Sequence, residues 1–153
     1  MRPAVETFPR EPASCENRGP ETGDPPMQVN LPDVKAEVEA AFARYETALM
    51  ANDVETLQSL FWNSPHTIRY GIGEILYGWD EIGAFRSARS PVGLARVISR
   101  TVITTFGRDF ATASTLFHRS TSPGKVGRQQ QSWARFDGGW HIVAAHVSVI
   151  DGA

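Results

Sequence analysis

The feature that most constrains this chain is a change of period at Arg96. Before it, apolar residues recur every three or four positions. After it they alternate, almost to the C-terminus. Residues 97–106 and 110–119 read as strands rich in Thr, Val, Ile and Phe, joined at Gly107-Arg108-Asp109. Residues 128–136 and 140–149 read as a second pair, joined by Asp137-Gly138-Gly139, with Ser122-Pro123-Gly124 between the pairs. Helices grouped first and long antiparallel strands afterwards make an α+β plan.

Upstream of Arg96 the pattern predicts three helices and a hairpin. Asp33 is placed as an N-cap behind Leu31, and Val34, Val38, Ala41, Phe42, Tyr45, Ala48 and Leu49 form one apolar stripe ending near Ala51. Asn52-Asp53 breaks and recaps the chain. A short second helix then carries Val54, Leu57, Leu60 and Phe61 inward, until Asn63-Ser64-Pro65 stops it. In residues 65–79 two short apolar runs flank a turn containing Gly71 and Gly73, which signals a hairpin. Gly78-Trp79-Asp80 leads into a third helix with Ile82, Phe85 and Ala88 inward and Pro91 beyond its end. Arg86 and Arg89 are three apart, so at most one is expected to point inward; Arg86, near the edge of that buried face, reads as a solvated or dimer-facing charge, with a second anion contact as the alternative.

Residues 1–30 differ in character. They hold six of the ten prolines and one aromatic, a composition that cannot offset the entropy of ordering. The expected organisation is a disordered Pro-rich tail over 1–30, or upstream sequence before a start at Met27, and one domain over 31–153. A net charge of −2 gives no electrostatic reason to expect nucleic acid or an anionic membrane. One cysteine, Cys15, allows no intrachain disulfide, and no apolar run approaches the roughly 18 residues of a membrane span. The expected location is cytoplasmic. A sheet with helices on one face leaves the other to be covered by a second copy, so a homodimer is expected.

The chemistry narrows by elimination. Metal-ligand spacings are absent among His66, His118, His141 and His146; His141 and His146, five apart on one strand, are expected on opposite faces. No Gly-x-Ser-x-Gly elbow exists, and the strands carry few acids to act as a base. Polar groups on faces expected to line the interior remain. Arg69 alternates with Ile68 and Tyr70, so it is either a solvated edge charge or an anion anchor. Tyr45 sits on the apolar stripe of the first helix. Gln129 and Gln131 share a face with Trp133. On the last strand Trp140, Ile142, Ala144, His146 and Ser148 share a face, apolar at one end and polar at the other.

Residues 136–148, Phe-Asp-Gly-Gly-Trp-His-Ile-Val-Ala-Ala-His-Val-Ser, resemble the closing hairpin of the nuclear transport factor 2-like (NTF2-like, SnoaL-like) superfamily. Residues 78–86 and 100–113 resemble one bacterial subfamily within it, found with oxalurate catabolism and with cyanuric acid (s-triazine) breakdown. The resemblance covers residues 31–153. It implies an NTF2-like cone, three N-terminal helices on a strongly curved mixed or antiparallel sheet. It also implies a decarboxylating amidohydrolase that takes 1,3-dicarboxyurea to allophanate without metal or cofactor. An oxalurate or ureide-pathway enzyme and a non-enzymatic NTF2-like binding or accessory protein are the alternatives. For a small anionic urea, Arg69 would grip a carboxylate bidentately and Tyr45 would act as general acid/base beside that guanidinium. Gln131, His146 and Ser148 would orient the urea amides.

Overall fold

The computed structural model describes residues 25–152. In chain order the elements are α1 (Pro32–Met50), α2 (Val54–Leu60), β1 (Ile68–Tyr70), β2 (Ile75–Tyr77), α3 (Trp79–Ala88), β3 (Val97–Phe106), β4 (Phe110–His118), β5 (Lys125–Phe136) and β6 (Gly139–Asp151). The period-two segments thus become four long strands, and the Gly71–Gly73 turn closes the β1–β2 hairpin.

Local sequence explains the helices. In α1, Val34, Val38, Phe42, Tyr45 and Leu49 bury one stripe. Its start corrects one expectation: Leu31 occupies the cap position and Pro32 the first turn, where a missing N–H leaves no hydrogen bond unmade. Asp33 therefore lies inside the helix, where its charge suits the N-terminal dipole and Arg108 pairs with it at 3.0 Å. Asn52, at a φ of 49°, turns the chain, and the Asp53 carboxylate caps α2 by accepting from the Thr56 N–H at 3.0 Å. Gln58 and Trp79 then lock α2 to α3: Gln58 Nε2 donates to the Trp79 carbonyl at 2.6 Å, and Trp79 Nε1 donates to the Gln58 carbonyl at 3.0 Å. On α3 only Ile82 and Arg86 are fully buried, and Ala88 faces solvent rather than inward.

The strands form one sheet in the order β2-β1-β6-β5-β4-β3, antiparallel except for β1 on β6. Two bulges bend it. One falls on β3 between Ser99 and Val102, where Arg100 has a φ of 49°; the other falls on β6, where Ser132 pairs with Ala144 but Trp133 pairs with Ile142, leaving Val143 extra. The sheet curls around α1, and Trp133, Ile142, Ala111 and Ala113 pack against Phe42, Leu57 and Phe61. One row on the concave face crosses the whole sheet in register: Leu76, Arg69, Ala145, Gln131, Ala113 and Ile103. Register alone thus sets Arg69 and Gln131 on the same inner wall.

The domain also begins earlier than expected. Gly107 N–H donates to the Gln28 carbonyl at 2.8 Å, Asn30 N–H to the Thr105 carbonyl at 3.0 Å, and Thr105 N–H to Asn30 Oδ1 at 3.0 Å. Residues 28–30 are therefore fastened to the end of β3. Residues 1–24 of the tail expected over 1–30, with Cys15, lie outside the described residues. Among the described residues, no helix is long and apolar enough to cross a membrane.

Candidate functional site

The interior between α1, α3 and the concave sheet gathers charge. Tyr45 comes from α1, Arg69 from β1, Arg86 from α3, Arg89 from the C-cap of α3, and Gln129 and Gln131 from β5. Arg96 and Arg119 bracket the β3–β4 hairpin: Val97 pairs with His118, so the register brings both arginines to the same end of that hairpin. Aromatic faces support the guanidiniums. Arg86 lies 4.5 Å above Phe61, Arg69 5.5 Å and Arg89 6.0 Å from Phe85, and Arg96 and Arg119 lie 4.6 and 5.0 Å from Phe117. Phe117 in turn packs flat over Gly127, where an added Cβ would sit 2.1 Å from the ring.

Two of these cations are neutralised. Arg69, 7% exposed, donates from Nη1 to Glu74 Oε1 at 2.5 Å. Glu74 reaches it by folding over Gly71, whose missing side chain leaves the space its carboxylate fills. Arg96 pairs with Glu46 through two nitrogens, and its Nη2 also donates to Gln129 Oε1 at 3.0 Å.

Arg86, Arg89 and Arg119 have no carboxylate within 4 Å among the described residues. Arg86 is 1% exposed, and all three of its nitrogens lack a hydrogen-bond partner. So do Nε and Nη2 of Arg89, Nε of Arg119, and the amide nitrogens of Gln129 and Gln131. Every unmet group in this cluster is a donor. Burial lowers the Arg86 pKa to about 10; the Tyr45 hydroxyl beside it works upward without reaching hydrogen-bond geometry, and the charges of Arg69 and Arg89 work downward. Arg89 and Arg119 are lowered too, first by burial, then by Arg69 and Arg96 respectively. A buried, donor-only, positively charged wall is complementary to an acceptor-rich anion.

The AtzH-like family model matches residues 27–153, which holds every residue of this cluster. The chain belongs to the AtzH-like family. A protein of unknown function from Pectobacterium atrosepticum is 56% identical, with 80% of this chain and 95% of that one covered and a TM-score of 0.78. A cystatin-like fold protein from Burkholderia xenovorans is 51% identical, with 83% and 99% covered and a TM-score of 0.80. At 19% identity, an NTF2-like protein with a cystatin-like fold from Novosphingobium aromaticivorans superposes with a TM-score of 0.62 over 81% of this chain and 86% of its own. The fold is NTF2-like. No curated protein matches the chain.

In this AtzH-like cone the sequence-derived residues divide. Tyr45, Arg69 and Gln131 line the interior, all buried, and Gln131 Oε1 accepts from Trp133 Nε1 at 3.2 Å. His146 and Ser148 do not line it. The bulge at Val143 reverses the alternation on β6, so Ala145 and Val147 follow Ile142 inward while His146 and Ser148 turn to the convex face. There His146 packs edge-on to Tyr70, and Ser148 Oγ accepts from Arg128 Nε at 3.1 Å. The same bulge removes the reason for placing His141 and His146 on opposite faces. No group of three or more His, Cys, Asp or Glu able to hold a metal occurs among the described residues. Arg86 corrects the reading as a solvated or dimer-facing charge. Arg86 and Arg89 both turn inward, against the expectation of at most one, because Ile82, Arg86 and Arg89 follow one helical stripe at i, i+4 and i+7; Arg96 and Arg119 carry no sequence signal that marks them as interior.

Proposed function

We propose that this AtzH-like protein is a cytoplasmic, metal-independent decarboxylating amidohydrolase of small carboxylated ureas, converting 1,3-dicarboxyurea to allophanate in cyanuric acid catabolism. The observation that carries the reading is the buried, unpaired donor wall of Arg86, Arg89, Gln129 and Gln131 beside Tyr45 and Arg69. Such a wall suits a planar ligand rich in carboxylate and carbonyl oxygens. The reaction asks little more. An N-carboxylate loses carbon dioxide once its nitrogen is protonated: the C–N bond breaks, its electron pair passes to nitrogen, and the dianion becomes the monoanion allophanate. No Lewis acid or nucleophile takes part.

Arg69 exchanges its Glu74 partner for a substrate carboxylate and holds it in two-pronged geometry. Tyr45 donates the proton from its hydroxyl, and the nearby Arg86 charge balances the phenolate until water reprotonates it. The amide N–H groups of Gln129 and Gln131 take the urea oxygen. Burial of the site excludes water from the charged ligand and strengthens each contact.

The test is direct. Purified full-length protein is given freshly prepared 1,3-dicarboxyurea, and allophanate and carbon dioxide are followed. Tyr45→Phe and Arg69→Lys should each lower turnover by at least roughly a hundredfold, the usual worth of a positioned proton donor. Wild-type turnover in both variants sinks the mechanism, and no allophanate from the wild type sinks the function.

A further inference from the structure

We propose that Arg86, Arg89 and Arg119 form a second carboxylate subsite, sharing the cone with Arg69, so that the pocket selects ligands carrying two carboxylates and releases them once one is lost. This rests on the functional reading above and assigns a task to residues which that reading leaves partly unused.

The charge count points this way. Arg69 and Arg96 each have a resident carboxylate, Glu74 and Glu46, so each pair is neutral. Arg86, Arg89 and Arg119 have none among the described residues, yet six of their nitrogens are shielded from solvent without a hydrogen bond. One carboxylate offers about four acceptor positions. A monoanion laid against Arg69 therefore cannot meet all six of these donors as well. A ligand with a second carboxylate satisfies both ends at once.

The two ends also differ in readiness. The Arg69 end is held by Glu74, which a ligand must displace. The Arg86–Arg89 end has no carboxylate within 4 Å among the described residues, and its guanidiniums are held against aromatic faces, Arg86 over Phe61 and Arg89 over Phe85. A dicarboxylate therefore docks first on the unpaired arginines, and its far end then competes with Glu74 for Arg69. Losing one carboxylate as carbon dioxide leaves one end of the ligand unable to make its contact. Glu74 returns to Arg69, and the monoanionic product is held at one point.

Glutarate is a suitable probe, since it spaces two carboxylates along a five-carbon chain and is chemically inert. Butyrate carries one carboxylate, and sulfate carries two charges without the span. Binding of each to the full-length protein is measured by calorimetry in phosphate-free buffer at constant ionic strength. Glutarate should bind at least tenfold more tightly than butyrate or sulfate, and Arg86→Met should reduce that preference to threefold or less while Arg86→Lys restores part of it. Equal affinity for glutarate and butyrate, sulfate binding as tightly as glutarate, or an unchanged preference in Arg86→Met would each overturn the proposal. Because binding is read without turnover, a protein that prefers glutarate but leaves 1,3-dicarboxyurea intact upholds this subsite and sinks the functional reading instead.

Discussion

Replacing Arg86 by Met should make the ligand-free protein more stable. A guanidinium normally stays protonated throughout the working pH range. Burial of Arg86 brings the release down to about pH 10. At 1.36 kcal/mol per pH unit, holding that charge unpaired costs the fold roughly 3 kcal/mol. The lost contact with the Phe61 ring returns about 1 kcal/mol of this, so the expected net gain is about 2 kcal/mol. For a domain of this size that is a rise of roughly 8 °C in Tm, read by scanning calorimetry at one fixed protein concentration without added anions. The pH dependence follows from the direction of the shift. The folded state binds its proton less tightly than the unfolded state, so the penalty is fully present at neutral pH. It is relieved only as pH climbs through about 10. The difference between Arg86→Met and wild type should therefore be flat below about pH 9 and shrink above it. A variant destabilised by about 2 kcal/mol or more would show that Arg86 is a satisfied structural residue, and the anion-site reasoning would fall with it.

Other outcomes follow from the same geometry. Glu74→Gln frees Arg69, so a carboxylate ligand no longer competes with a resident ion pair; KM for the urea dianion should fall several-fold with kcat little changed, and a raised KM would show that Glu74 supports binding instead. Gly127→Ala drives a methyl into the Phe117 ring, an overpacking expected to destabilise by about 1–3 kcal/mol in urea melts, and it should weaken glutarate binding because Phe117 supports Arg96 and Arg119; unchanged stability and affinity refute this. On the convex face Arg100, Val102, Leu116, Arg128 and His146 line a broad concavity of about 560 Å³, a surface suited to a second copy. Light scattering should give a dimer mass at micromolar concentration and a monomer for Val102→Glu, and a monomeric wild type would remove the dimer.

Period and turn chemistry carried the architecture because they are local. The switch from a three-to-four to a two-residue period at Arg96 needs only neighbouring residues to read, and Asn52-Asp53 and Asp137-Gly138-Gly139 mark breaks that φ and capping demand. The site was legible where parity held. Arg69 and Gln131 follow the simple alternation of their strands, and register sets them in one row with Ala145 between. It failed at His146 and Ser148, because one extra residue at Val143 inverts every later position, and nothing in the local composition announces a bulge. It failed differently at Arg86. The helical spacing from Ile82 was present in the sequence, but a charged residue on a buried face is so unusual that pattern reading assigns it to solvent.

The arginines that pattern reading placed worst are those that give the cone its chemistry, and one physical cause underlies both facts. A fold optimised for stability alone would put an apolar residue at position 86, where the stripe of α3 meets Phe61. Keeping an unpaired guanidinium there is unfavourable in the empty protein and favourable only when an anion arrives. The surrounding packing therefore has to hold the charge in place. Gln58 and Trp79 bind α3 to α2 by reciprocal hydrogen bonds, and Ile82 anchors the helix one turn before Arg86. Weakening that lock with Gln58→Leu removes the Gln58 Nε2 bond to the Trp79 carbonyl but leaves the charge. If α3 is what resists the self-repulsion of Arg86, Arg89 and Arg69, Gln58→Leu should lower Tm sharply in the wild type and much less in the Arg86→Met background. Equal losses in the two backgrounds, measured as a double-mutant cycle, would show that the lock and the charge are independent.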